Sequence, residues 1–270
     1  MGWGKGARRS GRYTKRGSVA MDSIQTKLVA FVLMALDHAG ALFLPTGSSA
    51  WVFARGAGRL AFPLYAYLAS QGIWHTRSIT AYSGRLFLYA FLSEFFFDVA
   101  FFDQALFPAY QNTFFTLALA VAAFWPCCPE WAKRSSRPMK CGKQPGQEGA
   151  GRATYALCAL SVLCAGAAAK LIHADYGLWG VLLTGVMVVA DRHRLAMMAA
   201  VWCFLFVSAG WLAPNPLQRA AMAVAATSVW AGIVRMDNGK PGDKRMRKWF
   251  YAAYPAHLIV LWLMRIVAAA

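Results

Sequence analysis

The sequence predicts an all-α, polytopic integral membrane protein with about nine transmembrane helices, and three observations carry that prediction. Of the 270 residues, 59% are hydrophobic and 14% charged, with a mean hydropathy of +0.41, a balance suited to lipid surroundings rather than to a wetted surface. The apolar residues gather into stretches separated by short charged or Pro/Gly-bearing breaks, at lengths that helices need to cross or nearly cross a bilayer. With the N-terminus placed in the cytoplasm, 23 of the 28 Lys and Arg fall on the inner side and five in outer loops or within spans, as the positive-inside rule requires.

Taken in order, residues 1–27 read as a basic cytosolic tail without the apolar core of a signal peptide. Spans at 28–44, 52–73, 84–102 and 113–126 form a first bundle segment, 28–126. A basic cytosolic linker follows at 127–152, rich in Pro, Gly and Lys. Spans at 153–171, 176–190, 195–213, 217–235 and 249–269 form the second segment, 153–270. Several are shorter than a straight crossing, so the span count ranges from eight to ten. An odd count places the C-terminus outside.

The net charge of +17 is explained by this topology. Nucleic acid is not an expected partner, because the basic residues lie between apolar segments rather than along one face interleaved with stacking aromatics. Six cysteines occur without CxxC spacing, and Cys127-Cys128 with Cys141 makes a poor tetrahedral set. No metal is expected, and the thiols read as reduced.

The chemistry resides in polar residues placed inside the apolar stretches, where they are costly and mark function. Asp37-His38 interrupts the first span. His38 is a candidate base and Asp37 an adjacent acid, although successive helical residues point about 100° apart and each can address a different neighbour. In Arg55-Gly56-Ala57-Gly58-Arg59-Leu60-Ala61-Phe62-Pro63, Pro63 frees the Arg59 carbonyl and predicts a kink. Gly56 and Gly58 permit close backbone approach. Arg59 suits an anionic ligand or a pairing with Glu94 or Asp37.

Glu94 and Asp98, four apart, share one face of the third span. Glu94 is read as Arg59's partner or as a proton carrier, and Asp98 as a water-exposed group near the outer surface. Asn112, Thr113 and Thr116 open the fourth span. Asp175 is read either as the N-cap of the sixth span or as a site for a cationic amine. On the last span Pro255 frees the Tyr251 carbonyl, Tyr251 and Tyr254 read as interface anchors, and His257 is a second candidate base or hydrogen-bond donor. His75, His173 and His193 read as packing residues.

Together, Asp37-His38-Ala39-Gly40, Gly58 to Pro63 with Gly72, Thr76, Tyr82 and Arg85-Leu86, Ser93-Glu94, Asn112 with Phe115-Thr116-Leu117, Asp175-Tyr176-Gly177 with Gly180, and Phe250-Tyr251 with Tyr254-Pro255 and His257 resemble the TraX family. Those membrane proteins of conjugative plasmids and related bacteria are associated with N-terminal acetylation of pilin. The resemblance covers about residues 24–265 and extends, more distantly, to multi-span membrane acyltransferases.

It implies a bacterial inner-membrane enzyme that passes an acetyl group from cytosolic acetyl-CoA to an exported, pilin-like acceptor. His38 would be the catalytic base or acyl relay with Asp37 its orienter. Arg59 would meet a donor phosphate or an oxyanion, and His257 would line the site. With the residue readings above, the substrate-binding candidates are Arg59, Glu94, Asn112, Asp175, Tyr251 and His257. Two readings of other classes stand beside this one: a proton-coupled transporter with Asp37, His38, Glu94 and His257 as relay, and a non-catalytic assembly factor of a pilus or envelope complex.

Overall fold

A computed structural model describes residues 21–76, 78–126, 152–190, 193–210, 212–238 and 244–269. The tail 1–20, most of the linker, and Cys127, Cys128 and Cys141 lie outside the described residues. All regular structure among those described is helical. In chain order the helices are α1 (Ser23–Phe43), α2 (Ser49–Gly58), α3 (Ala61–His75), α4 (Ile79–Phe102), α5 (Thr113–Ala122), α6 (Arg152–Leu171), α7 (Gly177–Val189), α8 (Arg194–Ser208), α9 (Pro216–Met236) and α10 (Lys244–Ala269).

Local chemistry sets the helix starts. Asp22 and Gln25 form a reciprocal capping box at α1. Side-chain oxygens of Ser48, Ser78, Asn112 and Asn215 accept first-turn amides of α2, α4, α5 and α9. The expected 52–73 span is broken in two, as Pro63 predicts. Leu60 N–H bonds back only three residues, to Ala57, and the two helices meet at Arg59-Leu60. Ten helices therefore fill nine chain segments among the described residues.

α1, α9 and residues Trp249–Ala268 of α10 are each long and apolar enough to cross a membrane, and α5, α7, α8 and Ala156–Leu171 of α6 are shorter apolar helices. Large apolar side chains face outward, among them Leu88, Phe91 and Phe95 on α4, Leu160 and Leu163 on α6, and Leu263 and Val267 on α10. Asp37, His38, Arg59, Glu94, Asp98 and Asn112 are buried. An apolar exterior over a polar interior is the arrangement that lipid surroundings favour.

α3 occupies the centre, packed against α1 and α7 with Leu64, Ile73 and Phe62 in its core. α10 packs on α4 and α1, and α5 on α4, α6 and α7. α9 lies mainly against α8. Two isolated bridges tie opposite ends of the bundle, Met21 to Asp237 and Gln111 to Ala174.

Candidate functional site

Inside the helices lies a cavity of about 850 Å³ lined from α1, α3, α4, α5, α10 and the start of α7. Alternating helix direction places residues far apart in sequence at the same end of it. Lys27 in the first turns of α1, His75 at the end of α3 and Arg85 early in α4 line the end beside the Met21 bridge. Thr113, Asp175 and Tyr176 line the opposite end, beside the Gln111 bridge. Asp37, His38, Tyr65 and Tyr254 line the stretch between. One end is thus basic and the other acidic.

At the centre, His38 Nδ1 and His257 Nε2 share a hydrogen bond of 2.8 Å, with ring centroids 5.1 Å apart and planes 19° from parallel. Phe101 and Tyr254 meet the His38 ring edge-on, and Phe31 and Tyr254 meet that of His257. Only His38 of the pair is on the cavity wall.

Asp37 turns elsewhere. Its Oδ2 accepts from Arg55 Nη1 at 2.6 Å, and Arg55 Nη1 also reaches the Asp37 carbonyl at 3.2 Å. The expectation that Asp37 orients His38 is therefore corrected, because the roughly 100° step between successive helical residues sends one toward α2 and the other toward α10. Gly58 makes this possible, since a Cβ there would lie 2.2 Å from the Asp37 Cβ. Gly56 has no such role, its nearest neighbour being Met222 Cε at 3.6 Å.

Arg59 is buried behind the cavity wall. Its Nη1 donates to the Tyr176 hydroxyl at 3.3 Å, and its guanidinium carbon stands 5.5 Å from that ring's centroid. Through Tyr176, which itself lines the cavity, Arg59 is linked to the cavity wall. Gly180 lets α7 approach, because a Cβ there would lie 2.7 Å from both Phe62 Cζ and Thr116 Cγ2.

Asp175 does not cap α7, whose N-cap is Tyr176 without a side-chain bond. Its Oδ1 accepts from the Tyr110 hydroxyl at 2.6 Å and its Oδ2 from Thr113 Oγ1 at 2.8 Å, while Thr116 donates to its backbone carbonyl. The carboxylate is held on the cavity wall by neutral donors.

Glu94 and Asn112 bond to one another. The Asn112 backbone N–H reaches Glu94 Oε2 at 3.1 Å, its side-chain amide donates to the same oxygen and to Ala90 O, and its Oδ1 caps Phe114 N–H at 3.0 Å. Neither residue is on the cavity wall. Asp98 is fully buried rather than wet, and its Oδ2 accepts the Phe107 N–H at 2.7 Å. Tyr251 lines the cavity and stacks on Tyr89 at 5.1 Å.

Sequence reasoning passed over Arg55, Tyr176 and Tyr254 as site residues. Arg55 stood four residues from Arg59, hence on its helix face. Tyr254 is buried on the cavity wall with a hydroxyl that has no hydrogen-bond partner among the described residues. Among the described residues no group of three His, Cys, Asp or Glu is placed to hold a metal ion.

The family model described as TraX protein matches residues 23–265, from the start of α1 into the last turns of α10. "Probable fimbrial assembly protein FimC, serogroup H1" of Dichelobacter nodosus is 27% identical over 260 residues, covering 90% of this chain and 96% of that protein. No solved structure matches the chain. The family match takes in both histidines, the broken α2–α3 segment and the Asp175 end of the cavity, and the chain belongs to the TraX family.

Proposed function

We propose that this is a pilus-related inner-membrane acyltransferase that moves an acetyl group from cytosolic acetyl-CoA to the N-terminal amine of an exported, pilin-like acceptor. The observation that carries the reading is a single cavity with a basic end at Lys27 and Arg85, an acidic end at Asp175, and His38 between them. An anionic thioester donor suits the first end, and the inner-loop cations would concentrate it there. A protonated amine suits the second, where the acidic Asp175 side chain, accepting from the neutral hydroxyls of Tyr110 and Thr113, lines the wall.

In the transfer, the bound ammonium first gives one proton to water at the outer end of the cavity, the freed amine nitrogen attacks the thioester carbonyl carbon, and His38 takes the second proton, which the nitrogen loses as the C–N bond forms. The reading gives the Tyr254 hydroxyl, which belongs to a residue of the cavity wall, the role of donor to the oxyanion. The C–S bond then breaks, His38 returns the proton to the thiolate, and an amide and free CoA leave. Asp37 pairs with Arg55 and serves in packing rather than as the base's partner.

The test is acetyl transfer from labelled acetyl-CoA to a peptide amine by purified protein in detergent, scored by amide label and free CoA. Turnover lost in His38→Ala supports the reading. Folded wild-type protein that releases no CoA with candidate acceptors present overturns it.

A second reading has its own support: the relative's printed name is that of a probable fimbrial assembly protein. A non-catalytic assembly factor predicts that His38 and Asp175 can be neutralised with piliation intact.

A further inference from the structure

A hydrogen bond between two neutral imidazoles carries one proton, and the ring that supplies it decides what the cavity meets at His38. His38 Nδ1 faces His257 Nε2 at 2.8 Å. The second nitrogen of His257, Nδ1, is buried and lacks a hydrogen bond of full geometry. The backbone groups that face this ring are the carbonyls of Tyr254 and Ala253, one turn earlier on α10. Both are acceptors. A lone pair turned toward them is repelled and an N–H is attracted, so His257 keeps its proton on Nδ1 and presents Nε2 as an acceptor. His38 must then donate from Nδ1, which leaves the lone pair on its Nε2.

We infer that His257 is a positioning residue that holds His38 as the Nδ1–H tautomer and turns the basic Nε2 of His38 to the cavity. The tautomer is a property of the resting protein, and only the use made of Nε2 rests on the acyl-transfer reading. His257 takes the place a carboxylate would have filled, since Asp37 is committed to Arg55. A neutral acceptor suits a buried position, where a second carboxylate would need its own countercharge. When Nε2 takes the amine's proton, the Nδ1–H bond to His257 becomes charge-assisted and strengthens, and no proton leaves the pair. Phe31, Phe101 and Tyr254 fix the two ring planes for this bond.

The experiment is nitrogen NMR of protein labelled with ¹⁵N-histidine in lipid, the five histidines being assigned through His38→Gln and His257→Leu. In wild-type protein at neutral pH the inference expects His38 to show a protonated Nδ1 and an unprotonated Nε2, and His257 a protonated Nδ1. His257→Leu moves His38 to the Nε2–H form that a free neutral imidazole prefers. His257→Gln, whose side-chain oxygen accepts a hydrogen bond, keeps Nδ1–H and retains more acetyl transfer than His257→Leu. A wild-type His38 protonated on Nε2, or one whose tautomer is the same in His257→Leu, overturns the inference. The expected tautomers in protein that transfers no acetyl group support this inference and overturn the acyl-transfer reading alone.

Discussion

Two buried polar pairs sit among apolar helices, and they do opposite things. His38 and His257 join α1 to α10 with one ring on the cavity wall. Glu94 and Asn112 join α4 to the start of α5 and are not among the residues of the cavity wall, with Asn112 committed to Glu94, Ala90 and the α5 cap. The cost of burying such groups marks both pairs equally. What separates them is location: one pair has a ring on the cavity wall, and the other joins two helices away from it.

Substitutions in and around the two pairs should therefore differ in what they change. His38→Ala should lower acetyl transfer by about a hundred- to ten-thousand-fold while the protein keeps its melting temperature within a few degrees. Tyr254→Phe should reduce turnover in the same assay by about a hundred-fold or more with little change in unfolding, as expected for loss of an oxyanion donor. An unchanged rate in either variant would move that residue to the structural side.

On the structural side, Arg55→Ala should destabilise by about 3–5 kcal/mol in denaturant unfolding, because Asp37 is left buried without its partner. The double variant Arg55→Met, Asp37→Asn should recover most of that loss. Asn112→Ala should cost about 1–3 kcal/mol by leaving Glu94 and the α5 amides unpaired. Gly58→Ala falls in a similar range, since the added methyl meets Asp37. The smallest effect is expected from Asp103→Ala at the exposed Arg265 pair, below about 1 kcal/mol in the same measurement.

How much of this was legible in the sequence depends on the range of the information. Helices and their ends follow from local hydropathy and capping, so the nine predicted stretches coincide closely with the helices found. The break at Arg59-Leu60 followed from one proline three residues on. The depth of Asp37, His38, Arg59 and Glu94 was readable for the same reason.

Their partners were not. His38 and His257 are 219 residues apart, and Asp175 meets Tyr110 and Thr113 across 65 and 62 residues. No local pattern encodes such a pairing. Hence Glu94 was matched to Arg59 on charge alone, while the structure gives it an amide from Asn112. Asp98 misled because position near a helix end suggested water, whereas the loop through Phe107 folds over it.

In the proposed reaction a donor at the Lys27 end and an acceptor at the Asp175 end meet at His38. Reconstituting the protein in sealed vesicles of known orientation tests it most directly, with acetyl-CoA confined to the Lys27 side and a membrane-impermeant peptide amine on the other. The account predicts acetylated peptide on the Asp175 side and free CoA retained on the Lys27 side, both abolished by His38→Ala. Acetylation that occurs only when donor and acceptor share one side, or that survives His38→Ala, would contradict it.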